Sequence, residues 1–316
     1  MSVIVEKQHK PIKMKNKILS ILLFFCSITL LLSCKSSYTH IGDKNANYIP
    51  YYLKVNEADS LFLVGKYEKS HKILDSLFKK YEPANTNRFY EYGTYLLSCV
   101  MINDTIGLKK KMAYSFKKYG GTYEEPIFQD ERSLTIHKIF TKDSLYFLNL
   151  KKEYLKKIDY SLIHKLQEMV KLDQNNRCLN TPENNKKIET IDSINRVKLK
   201  DIIKDNVYPN YYVIGYFDPD LNEFANISVL LLHQDRETVF KYLPIIEDAV
   251  RKGKCSPYEY AEIYDKCIRV YGNENEKQKF NSWETTNKQE IDSIVKINRR
   301  QIGLPSVNYF KWKYGF

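Results

Sequence analysis

His233 and Asp235, within Leu232-His233-Gln234-Asp235, are the sharpest pair of residues for chemistry in this chain. Histidine titrates nearest neutral pH, and a carboxylate beside it can orient the ring for general acid–base work. On a helix, however, residues i and i+2 point about 200° apart. The two must therefore lie at a helix end, or each must find its partner elsewhere. Helix capping and an internal polar tie are the expected roles, with a shared pocket as the alternative. Asp173 and Arg177 are spaced i,i+4 and can pair, as can Asp192 and Arg196. Ordinary ion pairs are expected of both. There is no H-E-x-x-H, no C-x-x-C and no two mature histidines within one helical turn, so neither a metal nor another cofactor is expected. A G-x-S-x-G elbow and a phosphate-cradling Gly-rich loop are also absent.

The elements that must position these residues have helical periodicity. Leu162, Ile163, Leu166, Met169 and Val170 stripe a helix over 161–172 that delivers Asp173, and the Asn- and Lys-rich stretch 175–187 is expected as a loop. A second stripe, Ile191, Asn195, Leu199 and Ile202, spans 188–203 and ends at Tyr208-Pro209. Tyr211 to Phe217 has strand character or is a packed loop, and Asp218-Pro219-Asp220 opens the next helix. Pro244 interrupts the stripe Val239, Leu243, Ile246, Val250 and should kink or restart that helix. Ser256-Pro257-x-Glu259 is a well-formed helix start, with Ser as N-cap, Pro at the first helical position and Glu three residues after the cap. On its helix Tyr260, Ile263, Tyr264, Cys267, Ile268 and Tyr271 share one face, which puts Asp265 about 120° from the face centre, at the rim of a core. Cys255 and Cys267 are expected as buried free thiols, because ~12 helical residues at ~1.5 Å each exceed the reach of a disulfide.

At the N-terminus, Lys13, Lys15 and Lys17 precede the apolar run from Ile18 to Leu32, followed at once by Ser33-Cys34. The run is short of the roughly 20 residues a spanning helix needs, and the order of basic, apolar and small segments is that of a signal peptide. Leu31-Leu32-Ser33-Cys34 resembles the lipobox of bacterial lipoproteins. That resemblance implies cleavage before Cys34, acylation of its thiol and attachment to a membrane of the bacterial cell envelope, expected to be the outer membrane. Removing residues 1–33 takes five of the 50 Lys and Arg and one of the 38 Asp and Glu, leaving 45 against 37, a net charge of +8. An exported chain with a dispersed basic excess gives no reason to expect a nucleic-acid partner. With 43% hydrophobic residues and only 11 Gly and 10 Pro, a packed body is expected.

Residues 34–47 lack periodicity and are expected to tether that body to the membrane. From Val55, Leu61, Gly65, Tyr67, Leu74, Leu77 and Pro83 match the spacing of a tetratricopeptide repeat, with Ser70 in place of the usual small Ala. The resemblance implies antiparallel helix pairs. Segments 89–101 and 106–119, joined at Asn103-Asp104, continue the pattern, and further helical spacing covers 134–155. The C-terminal half resembles an uncharacterised bacterial domain family found on exported proteins. Asp173 and Arg177, Asn195 and Arg196, Leu232-His233-Gln234-Asp235, Asp265-Lys266, Gln278-Lys279-Phe280 and Arg299-Arg300-Gln301-Ile302-Gly303-Leu304 fall in that family's order. The resemblance supplies the candidate positions Asp173, Arg177, Asn195, His233, Asp235 and Asp265 but no reaction. Leu232, Lys266 and Asn281-Ser282-Trp283 depart from it.

The expected protein is thus mostly all-α, with at most one short strand or hairpin. It comprises a signal peptide (1–33), a lipidated tether (34–47), a tetratricopeptide-like region (48–160) and a C-terminal helical domain (161–316). Its expected role is a lipid-anchored binding or scaffolding module for a protein or glycan partner. The alternative is a small envelope hydrolase or transferase whose pocket holds His233 and a carboxylate from Asp173, Asp235 or Asp265.

Overall fold

Apolar stripes at helical spacing, some of them ended by Gly or an Asn-Asp turn, fold into antiparallel helices. The structure is a computed structural model that describes residues 38–84, 90–121, 131–177, 181–214, 227–283 and 293–315. The signal peptide, Cys34, Cys178 and Asp218-Pro219-Asp220 lie outside the described residues. Among the described residues there is no strand, and the one β-type pairing is an isolated bridge between Thr39 and Tyr81. No described helix is long and apolar enough to cross a membrane.

Helix α1 (Ile49–Leu63) starts six residues before the expected Val55, because Pro50 is preorganised for a first helical turn. It pairs with α2 (Tyr67–Phe78) around Gly65, whose φ of +76° makes the turn without a side-chain clash. Fully buried Ser70 lets the two helices close, its Oγ donating to Ala58 O at 2.8 Å. Helices α3 (Glu91–Met101) and α4 (Leu108–Tyr119) form the next pair, and α5 (Leu134–Lys142) and α6 (Ser144–Leu155) follow. One core gathers Ala58, Phe62, Leu74, Tyr92, Tyr95, Leu97, Met112, Phe116 and Phe147 from these helices.

The C-terminal half contributes α7 (Tyr160–Asn175), α8 (Pro182–Ile202), the single turn α9 (Tyr211–Ile214), α10 (Ile227–Leu232), α11 (Arg236–Arg251), α12 (Pro257–Tyr271), α13 (Ser293–Gln301) and α14 (Tyr309–Tyr314). The possible strand from Tyr211 is therefore helical as far as Ile214. Its larger core takes in Leu166, Leu199, Leu230, Ile246, Ile263 and Phe280, together with Tyr48, Tyr51, Tyr52 and Val55 from around the start of α1. Helix α1 thus feeds both cores. Tyr52 Oη donates to Val250 O and Cys255 O at 3.1 Å each, and Asn56 Nδ2 donates to Gly303 O at 3.2 Å. Gly303, at φ +90°, brings its backbone so near α1 that a Cβ there would stand 2.8 Å from that of Tyr52.

Several expectations are corrected. The segment expected to act as a tether packs on the body from Thr39 onward: Thr39 N donates to Lys80 O, Glu82 N to Thr39 O, and Gly42 N to Lys252 O at 2.8–2.9 Å. These backbone bonds need no periodic side-chain pattern, which is why the pattern missed them. Helix α8 begins at Pro182, inside the expected loop, with the Thr181 hydroxyl accepting from Asn184 N. Pro244 sits inside α11, which does not restart there. It lies on the exposed side together with Phe240, whose freed carbonyl water can satisfy. Ser256 caps α12 as expected, but Glu259 turns inward and accepts from Cys255 Sγ at 3.0 Å. Cys255 and Cys267 are buried free thiols.

Candidate functional site

Asp173 occupies the next place on the buried stripe Ile163, Leu166, Met169 of α7, a position where an apolar side chain would ordinarily sit. It is 1% exposed, so its carboxylate must be compensated in place. Arg177, one turn on and just beyond the C-terminus of α7, supplies most of this. Its Nε lies 3.1 Å from both carboxylate oxygens and its Nη2 lies 2.7 Å from Oδ1. A cation there also suits the negative end of the helix dipole. His233, in the turn after α10, places Nδ1 2.8 Å from Asp173 Oδ2, and Gln174 Nε2 donates to the same oxygen at 2.7 Å. Because an ionised carboxylate only accepts, the shared hydrogen of the imidazole sits on Nδ1.

Asp192 completes the cluster from α8 by accepting from Arg177 Nη2. The chain of groups is thus Asp192, Arg177, Asp173, His233, alternating acceptor and donor and joining α7, α8 and the α10–α11 turn. Burial would raise the Asp173 carboxyl, but hydrogen bonds from His233 and Arg177, and their charges, hold it down at about 2. Burial raises Asp192, and the nearby Asp173 charge adds to this against the pull of Arg177. Two carboxylates share one guanidinium, and His233 and Gln174 serve as further donors for the deeper one.

The remaining candidates go elsewhere. Asp235 is the N-cap of α11, accepting from Thr238 N at 2.8 Å, and it pairs with Arg196 across to α8. His233 and Asp235 thus do not join each other; each finds its partner on another helix. The i,i+4 pairing of Asp192 with Arg196 is replaced by the cross-helix pairs Arg177–Asp192 and Arg196–Asp235, because antiparallel α7 brings a guanidinium to the same carboxylate. Asn195 is wholly buried on α8, one turn from Asp192, and neither atom of its amide group has a hydrogen-bond partner among the described residues. Asp265 is not at a rim. It is fully buried and accepts from the backbone N–H groups of Lys279, Phe280 and Ser282.

Chemically, the cluster holds helices together and also orients one imidazole. With Nδ1 bound to a carboxylate, His233 presents Nε2 on a ring that is 22% exposed, the posture of a general base. Sequence reasoning missed Asp192 as a member, since only the register of α7 against α8 reveals it. Comparison with known proteins finds no family, no curated protein and no solved structure that matches this chain.

Proposed function

We propose that this chain is a lipid-anchored protein of the bacterial cell envelope whose helical body is a binding or scaffolding module for a protein or glycan partner. The basic, apolar and small segments ending at Cys34 support the anchor. The observation that carries the binding half is the succession of antiparallel pairs α1–α2 and α3–α4, each burying one side against its neighbour. Stacked helical hairpins of this kind offer extended surfaces for partners. The resemblance of 61–83 to a tetratricopeptide repeat supports the same reading. So does the polar cluster, whose donors and acceptors are paired with one another in the manner of a tie between helices.

A second reading rests on a specific contact. Asp173 at 2.8 Å from His233 Nδ1 is what a hydrolase or transferase would use to orient a base. The two readings part on mutation of His233: a tie loses stability, whereas a base loses turnover and keeps its fold.

The anchor has a direct test. Cys34→Ala is expected to move the chain from the membrane to the soluble envelope fraction and to abolish metabolic labelling with palmitate. Unchanged partitioning, with no label in the parent chain, would overturn the lipoprotein reading. For the partner, mass spectrometry of material retained by the anchored chain from solubilised envelope is the matching measurement.

A further inference from the structure

Away from the cluster at α7, the α2–α4 hairpins gather an imidazole, a thiol and a carboxylate. The local fold explains why. Helix α3 ends in a Schellman turn: Asn103 takes a left-handed φ of +58°, Asn103 N donates to Val100 O at 3.1 Å, and Asp104 N donates to Cys99 O at 2.9 Å. That closure folds Asp104 back beside Cys99, although the two are five residues apart in sequence. His71 comes from α2, its ring stacked on Tyr95 at 5.3 Å and 13°, which fixes its orientation. The ligand-capable atoms of His71, Cys99 and Asp104 all lie within 4.8 Å of one another.

From this geometry we infer a transition-metal site, with His71 Nε2, Cys99 Sγ and an Asp104 carboxylate oxygen as protein ligands for a Zn²⁺-class ion. Three features support it. First, His71 Nε2 is buried without a hydrogen-bond partner among the described residues, and Asp104 Oδ2 lies 3.8 Å from it. Second, a cation already stands against the same group: Lys111 Nζ lies 3.3 Å from Cys99 Sγ and 3.7 Å from Asp104 Oδ2. This ammonium occupies the place of positive charge, and its flexible stem, with a side chain 23% exposed, can carry it out to water. Third, the dimensions fit. Tetrahedral bonds of about 2.0–2.3 Å put donor atoms about 3.3–3.6 Å apart, so side-chain adjustments of roughly an ångström close the triad on an ion. The mixed donor set of thiolate, imidazole and carboxylate selects a borderline ion over Ca²⁺ or Mg²⁺, which take oxygen ligands. Asp104, 39% exposed, marks the side from which an ion enters and where water can complete the coordination.

Cobalt(II) titration of the full chain in detergent, under a non-thiol reductant, tests the site. The expected result is saturation at a single equivalent, with an intense near-ultraviolet thiolate-to-cobalt band and tetrahedral bands in the visible. Cys99→Ser should abolish the charge-transfer band. His71→Gln and Asp104→Asn should weaken binding by roughly 10- to 100-fold or more. Lys111→Met, which removes the competing ammonium and keeps most of the stem, should tighten binding by roughly tenfold. Should Cys99→Ser not fold, Asp104→Asn at its partly exposed position and Lys111→Met carry the test. Absence of the band in the parent chain, its persistence in Cys99→Ser, or affinity unchanged in both Asp104→Asn and Lys111→Met would overturn the assignment.

Discussion

Asp265→Ala is expected to lower the unfolding free energy by about 3–5 kcal/mol, because the carboxylate accepts from three backbone N–H groups that have no other acceptor among the described residues. Lys279 N and Ser282 N donate at 2.8 Å, and Phe280 N reaches both oxygens at 3.2 Å. The carbonyl side of the same loop is held from the opposite direction: Arg299, itself buried, donates through Nη1 to Phe280 O at 2.7 Å and through Nε to Pro305 O at 2.7 Å. Between these two charged clamps Phe280 is fully buried against Tyr260 and Tyr264, with ring centroids 5.7 Å away in each case. Truncating Asp265 leaves unpaired N–H groups and loosens the seat of Phe280 together. Chemical denaturation followed by far-ultraviolet circular dichroism measures the effect. A loss below about 1 kcal/mol would mean that water replaces the carboxylate at little cost.

The second large effect is expected at Asp173. Asp173→Ala should cost about 2–3 kcal/mol, less than the ~3–5 kcal/mol typical of a broken buried pair, because the groups it abandons are partly hydrated. Arg177 and His233 are 24% and 22% exposed, and Arg177 keeps Asp192. The same residue sets a pH dependence. Burial favours the neutral acid, but the His233 and Arg177 hydrogen bonds bring the folded carboxyl down to about 2, below its unfolded value of ~3.9. A depressed carboxyl contributes stability above its unfolded pKa and loses that contribution as pH falls through the folded one. The parent chain should therefore exceed Asp173→Asn in stability by a margin that is full at neutral pH and shrinks between about pH 5 and pH 2. A margin independent of pH over that range would show that the ionised carboxylate is not what stabilises the cluster.

How much of this was legible in the sequence follows from the range of the interactions. Periodicity and caps are local, so the helical class, the start of α12 at Ser256-Pro257 and the pairing of Asp173 with Arg177 could all be read directly. The start of α8 was legible in principle, since Thr181-Pro182-Glu183 carries a cap, a proline and an early acid, but the Asn- and Lys-rich composition around it argued for a loop. Asp265 was misjudged because α12 is buried over a wider arc than its aromatic face suggests. Tyr258, Ala261 and Asp265 are buried, while Tyr271 is 45% exposed. The partners that make that burial tolerable are main-chain groups 14–17 residues away, which no side-chain pattern announces. Asp192 joining Arg177, Arg196 crossing to Asp235, and His71 meeting Cys99 all depend on helix register. Sequence spacing says which residues share a face and leaves open which faces meet.

His233 and Asp173 join α7 to the α10–α11 turn through a single contact, His233 Nδ1 at 2.8 Å from Asp173 Oδ2. A double-mutant cycle on unfolding free energy, using His233→Ala, Asp173→Asn and the double variant, measures that tie most directly. The predicted coupling is about 1.5–3 kcal/mol, with His233→Ala alone lowering stability by more than ~1 kcal/mol. A coupling below about 0.5 kcal/mol, with the melting temperature of His233→Ala unchanged, would contradict the account and leave the imidazole free for chemistry.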